Sequence, residues 1–248
     1  MNCKWRLLKL EVGDVYTQMA IDEAIMQACI ENKAPNTIRF YMMEKPAITI
    51  GCNQDKDLFD NQKYEVAKRL TGGTAVFHKN DLLYAVIAGE NDLPGDIEEI
   101  YRYLGDALVK GLNYSGIPAT FRCNKKSKGQ EICYLNDNPY DIVVFGKKIS
   151  GNAQARKKGV ILQHGTIIFE NNYEDLKDLF LPEMVSEYQS KTTYLQKFNL
   201  QIRQDEVCEN LIKSFSNILS EKNINLIKGS LTDYEKKLVK MALGVDKC

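Results

Sequence analysis

The stretch Asp141-Ile142-Val143-Val144-Phe145-Gly146-Lys147-Lys148-Ile149-Ser150-Gly151 decides the fold. A β-rich run meets a glycine and a second run follows at once, which reads as strand, tight turn and strand. A hairpin joins antiparallel neighbours, whereas a parallel βαβ unit needs a crossover of a dozen or more residues. Outward from this hairpin, Val160 to Phe169 reads as a further long strand. Upstream, Ile38 to Tyr41 and Ala47 to Ile50 read as two strands separated by Glu44-Lys45-Pro46, since proline cannot donate to a ladder. Ala75 to Phe77 and Leu82 to Ile87 continue the β character.

Helical periodicity frames these strands. Thr17 to Ile30 places Met19, Ile21, Ala24, Ile25 and Ala28 on one side, with Asp22 and Glu23 in the half where the helix dipole favours acids. Ile100, Leu104, Leu108 and Leu112 mark a second helix over 97–114. Beyond Tyr173 the spacing predicts helices over 173–180, 205–221 and 232–242, with a short strand at Ile224 to Ile227. Strands interrupted by helices of unequal length, with hairpin links, predict an α+β fold: a mixed β-sheet flanked by helices. No G-x-G-x-x-G follows the first strand and no G-x-x-x-x-G-K-[ST] occurs, so a doubly wound nucleotide fold is not expected. No internal repeat is visible.

A chain of 248 residues buries a sizeable core, as one large domain or one domain with a small satellite. Thirty-three basic residues balance thirty-three acidic ones, so no global field draws nucleic acid or an anionic membrane. Without a signal-like N-terminus or an apolar run long enough to span a bilayer, the chain reads as cytoplasmic. The seven cysteines (Cys3, Cys29, Cys52, Cys123, Cys133, Cys208 and Cys248) are odd in number, scattered, and free of C-x-x-C pairs. With only two histidines, His78 and His164, neither a disulfide framework nor a metal site is expected.

Three patches can carry chemistry. Lys68-Arg69-Leu70-Thr71-Gly72-Gly73-Thr74-Ala75-Val76-Phe77-His78 pairs two glycines, which let backbone approach a ligand closely, with two cations suited to a carboxylate or phosphate. A strand-linking turn with solvated charges would look the same. In Gly146 to Gln154, a lysine beside a turn can hold an oxyanion, neutralise a phosphate or depress a thiol's pKa, although turn lysines are mostly solvated. Cys133, in Glu131-Ile132-Cys133-Tyr134, becomes a nucleophile only beside a cation or base, and Lys148 lies a loop and a hairpin away. His164, in Gln163-His164-Gly165-Thr166, is either a base or a satisfied core residue, and the same holds for His78.

In this order and spacing the patches resemble the lipoate-protein ligase and octanoyltransferase family, whose catalytic domain is shared with biotin protein ligases. The resemblance runs from about residue 5 to about residue 240. The family's R-R-x-[ST]-G-G-x-A-V-x-H loop corresponds to Lys68 to His78, its G-x-K-[IV]-x-G-[SN]-A turn to Gly146 to Ala153, and a further match covers Gln154 to Ile167. It implies a biotin/lipoate protein ligase catalytic-domain-like fold, with Lys148 as the catalytic lysine. Arg69, Thr71, Gly72, Gly73, His78, Gly151, Asn152, His164, Gly165 and Thr166 are implied as substrate-binding residues.

Cysteine-type octanoyltransferases place a nucleophile in a C-[FY] pair upstream of that lysine, where this chain has Cys133-Tyr134. The resemblance therefore implies transfer of an octanoyl or lipoyl group from acyl carrier protein, through a Cys133 thioester, to a lysine of a lipoyl domain. The implied acceptors are the glycine cleavage H protein or 2-oxoacid dehydrogenase subunits, and this route uses no cofactor. The alternative is an ATP- and Mg-dependent lipoate-protein ligase acting through an acyl-adenylate, as a whole enzyme or as half of a two-protein ligase; a catalytically silent partner module is the third reading. Thr74 stands where such ligases generally have a third glycine, and Lys79 where they have Asp. Residues 1–200 are expected to form the catalytic acyl-transfer domain, and 201–248 a helical extension packed on it.

Overall fold

A computed structural model describes residues 3–59, 63–122 and 138–245. In chain order the elements are β1 (Cys3–Gly13), α1 (Val15–Ile30), β2 (Thr37–Met43), β3 (Ala47–Ile50), β4 (Glu65–Lys68), β5 (Val76–His78), β6 (Leu82–Gly89) and α2 (Ile97–Tyr114). There follow β7 (Ala119–Phe121), β8 (Ile142–Val144), β9 (Lys147–Lys157), β10 (Val160–Ile167), α3 (Tyr173–Leu176), α4 (Pro182–Lys191), α5 (Gln204–Ser220), β11 (Ile224–Lys228) and α6 (Asp233–Ala242).

Among the described residues the strands form two sheets. The large one runs β11-β1-β2-β6-β10-β9-β8-β7; its β11·β1 and β1·β2 pairs are parallel and the rest antiparallel. The small one runs β4-β3-β5, with one parallel and one antiparallel pair. The fold is α+β with a mixed sheet and flanking helices, as the hairpin at 141–151 predicts.

Alternation along the strands separates two cores. Ile38 and Phe40 of β2 and Leu82, Tyr84 and Val86 of β6 face α2 and α5, meeting Leu104, Leu108, Leu211 and Phe215. Tyr41, Leu83, Ala85 and Ile87, one step along, face α1 and pack on Met19, Ile21 and Ile25. A third cluster, with Ile48, Val66 and Phe77 of the small sheet, packs on Val185 and Tyr188 of α4. The space between the small sheet and the α1 face of the large one holds the site.

Several elements differ from the sequence reading. Strands β1, β4 and β7 and helix α4 were not expected, β9 continues to Lys157, and the helix expected over 173–180 is the single turn of α3. Pro182 opens α4 and ends the preceding segment, because its ring fits the first helical turn and cannot extend an existing one. Residues 201–245 supply α5 and α6 and also the edge strand β11. Arg6 of β1 meets Glu235 of α6 through paired hydrogen bonds, Nη1 to Oε2 at 2.7 Å among them, and both side chains are buried. Among the described residues no helix is long and apolar enough to cross a membrane.

Candidate active site

The turn between β8 and β9 has Phe145 and Gly146 both at positive φ, 49° and 77°, the form whose twist suits a two-residue hairpin. Ile142 pairs with Ser150 while Val143 pairs with Lys148, so β9 carries one extra residue there. Lys148 is 2% exposed and its Nζ lies 2.9 Å from Asp141 Oδ1. Burial pushes the Asp141 carboxyl above the usual range; Lys148, the Asn138 amide and Arg122 offset this only in part. Lys148 is thus not a solvated turn lysine: it sits in a buried ion pair with Asp141.

The glycine loop is built around Arg69, which is 7% exposed. Its Nη1 donates to the Thr49 carbonyl and hydroxyl oxygens at 2.8 and 3.0 Å. Its Nη2 donates to the carbonyls of Gly72 and Thr74 at 3.1 and 3.0 Å, and its Nε faces Thr71 Oγ1 at 3.4 Å. The guanidinium thus organises the loop from within. Gly73 sits at φ +89°, where a side chain would be strained, and its carbonyl closes on Gly51. A Cβ on Gly51 would stand 2.0 Å from the Gly73 oxygen, whereas one on Gly72 meets nothing within 4 Å.

Gly51→Ala is therefore expected to push the loop aside, at about 1–3 kcal/mol of stability by the general cost of overpacking. Denaturant melts of Gly51→Ala beside Gly72→Ala check this. Equal midpoints for the two variants would contradict the close approach.

A cleft of about 390 Å³, open mouth included, brings both predicted patches together. Arg69 and His78 line it from one side, and Gly151, Asn152, His164, Gly165 and Thr166 from the other. Met19, Tyr41, Val76, Leu83 and Ala153 supply apolar wall. Thr71, Gly72, Gly73 and Lys148 are not in the lining; Thr71, Gly72 and Gly73 belong to the loop that Arg69 holds. Cys133 lies outside the described residues. Asn152 is fixed by donating to the Tyr140 carbonyl at 3.1 Å and accepting from the Tyr84 hydroxyl at 2.8 Å.

Charged residues that the sequence reading did not assign to the site lie beneath the cleft. Asp22, read as a dipole-favoured acid, is instead buried in mid-helix, with Oδ1 2.8 Å from Arg39 Nη1 and Oδ2 3.1 Å from His164 Nδ1. Its burial opposes ionisation, but Arg39 and His164 outweigh this and hold the carboxyl below the usual range. His78 Nε2 lies 2.8 Å from Thr49 Oγ1 and its Nδ1 3.8 Å from Asp81; burial lowers its pKa, against the pull of Asp81. The signal for Asp22 and Arg39 was a charge amid apolar neighbours on both elements, which requires a buried partner. Among the described residues no group of His, Cys, Asp or Glu side chains is suited to hold a metal ion.

This topology and cleft place the chain in a known class. The crystal structure of lipoate-protein ligase A bound with ATP matches with a TM-score of 0.77 and 26% identity, over 98% of this chain and 95% of that one. The fold is that of a lipoate-protein ligase. More particularly, residues 14–216 match the model of the lipoyl protein ligase A/B catalytic domain, and the chain belongs to that family. Octanoyltransferase LipM of Clostridioides difficile is 33% identical, over 96% of this chain and 94% of its own length. The LipM of Moorella thermoacetica is 34% identical, over 95% and 93%. The chain is an acyl-transfer enzyme.

Proposed function

We propose that the chain is an octanoyltransferase of protein lipoylation that works through a thioester on Cys133. The similarity to octanoyltransferases over almost the whole chain carries the reading. The Cys133 thiolate attacks the thioester carbonyl of octanoyl acyl carrier protein and expels the carrier's thiolate, leaving octanoyl-Cys133. The amine of a lipoyl-domain lysine then attacks this second thioester, loses a proton and expels the Cys133 thiolate. The acceptor is a lipoyl-domain protein such as a glycine cleavage H protein or a 2-oxoacid dehydrogenase subunit. Lys148, directed by Asp141, favours the thiolate and then the oxyanion of each addition.

The apolar side of the cleft suits the acyl chain, each buried methylene contributing about 0.8 kcal/mol. No cofactor enters this route. At the position where the resembling ligases carry Asp, Lys79 is paired with Asp175 at 2.8 Å, which adds support for the transferase. Transfer from octanoyl carrier protein to a lipoyl domain without ATP is the expected result. Turnover that starts only with ATP, Mg and free octanoate or lipoate would assign the ligase chemistry instead, and no turnover by either route would leave a silent partner module.

A further inference from the structure

A buried chain of contacts joins α1 to the glycine loop across the floor of the cleft. From Arg39 and Asp22 it passes to His164 Nδ1 at 3.1 Å, and from His164 Nε2 to Thr71 Oγ1 at 2.6 Å. Arg39 and Thr71 are 0% exposed, Asp22 2% and His164 5%, so water does not compete for these bonds. An ionised Asp22 can only accept, so Nδ1 carries a proton, and in a ring that carries one proton Nε2 offers a lone pair. The Thr71 hydroxyl then donates to Nε2, and its oxygen remains open to Arg69 Nε.

A second relay runs in parallel from Arg69 through Thr49 to His78. It ends differently, because Asp81 is 3.8 Å from His78 Nδ1 and that nitrogen makes no hydrogen bond among the described residues. Only the His164 relay is closed at both ends. It also reaches further, since the Thr71 carbonyl accepts from the Cys52 amide at 2.9 Å and Arg69 binds the carbonyls of Gly72 and Thr74. Whatever fixes Thr71 fixes the loop.

We infer that Asp22 is a positioning residue for the acyl cleft: by holding His164 in its Nδ1–H form it directs the Thr71 hydroxyl to Nε2, and this bond pins the glycine loop against β10. The inference rests on the cleft being the acyl site proposed above. Asp22 acts on capture of the acyl donor and not on bond making, so its loss raises KM and leaves kcat nearly unchanged.

The relay is read without substrate by nitrogen-15 NMR of the full chain's imidazoles. With only two histidines, His78→Gln assigns the spectrum. Wild-type His164 is expected to be protonated on Nδ1 alone, and Asp22→Asn to shift it toward the Nε2–H form. Thr71→Val, near in shape and lacking the hydroxyl, is expected to speed hydrogen exchange at the Gly72 and Gly73 amides and to raise KM for octanoyl carrier protein about tenfold. Thr71→Ser restores both.

The double variant Asp22→Asn/Thr71→Val is expected to be no worse than the worse single one, as members of one network behave. A wild-type His164 proton on Nε2, or additive losses in the double variant, overturns the inference. Should Asp22→Asn not fold, Thr71→Val and the wild-type spectrum still decide. The spectrum and the exchange rates need no acyl donor, so failure there refutes the relay alone, while a normal relay in a chain without octanoyl transfer refutes the proposed function alone.

Discussion

Incubated with octanoyl acyl carrier protein and no ATP, the wild-type chain is expected to gain the mass of one octanoyl group, and Cys133→Ser to gain nothing. A thiolate forms readily near neutral pH beside a cation, whereas a serine alkoxide does not, so the substitution keeps the shape of the side chain and removes the nucleophile. The adduct should release with hydroxylamine, as a thioester does, and map to the peptide that holds Cys133. Transfer should fall by a factor on the order of 10⁴ or more, the scale that loss of a nucleophile imposes elsewhere.

The other cysteines supply an internal control. Buried Cys29 and Cys208 have thiols pushed up to about 12 by burial, so neither competes as a thiolate near neutrality. Cys52 is exposed, next to the close contact between Gly51 and the glycine loop, and an adduct on its peptide would move the nucleophile there. Full activity of Cys133→Ser that depends on ATP would replace the covalent route with an adenylate.

What could be read from the sequence was local. The turn at Phe145-Gly146 places two residues at positive φ, and a glycine between two β-rich runs announces such a hairpin from a few letters. Strand β1 announces nothing of the kind. Its pairing shifts between Leu8 and Glu11, with Leu10 at φ 39°, so its alternation breaks, and both its partners are parallel strands from elsewhere in the chain. Strands β4 and β7 have four and three residues, too few for a period to show.

The site divides along the same line. Arg69, His78, Gly151 and His164 belong to contiguous motifs, and the structure brings them to one cleft. Asp22, Arg39 and Thr49 owe their roles to partners 17 to 142 residues away, a relation that neither periodicity nor a motif encodes.

Because Lys148 is buried beside Asp141, its replacement should act on stability as well as on transfer. Replacing it with methionine fills most of the volume but leaves the Asp141 carboxylate buried without its partner, a loss of about 3–5 kcal/mol near neutral pH. Transfer is expected to fall a further way, by roughly 10²–10³-fold in kcat, as for removal of an oxyanion donor. The two effects separate by pH. Asp141 already has a folded-state pKa above its unfolded value because burial outweighs Lys148, and removing the lysine raises it further. Between the unfolded and folded values the native state then binds a proton that the unfolded chain lacks, so stability falls as pH rises through that window.

Denaturant unfolding at pH 5.5 and 8 should thus show the deficit of Lys148→Met shrinking at the lower pH. Adding Asp141→Asn removes the stranded charge and should recover stability at pH 8 without recovering transfer. Lys147→Ala, at a half-exposed site where Nζ reaches the Gln189 carbonyl at 3.3 Å, should leave both near wild type. If the double variant regained activity along with stability, Lys148 would be holding the hairpin together and the charge at the reacting carbonyl would come from another group.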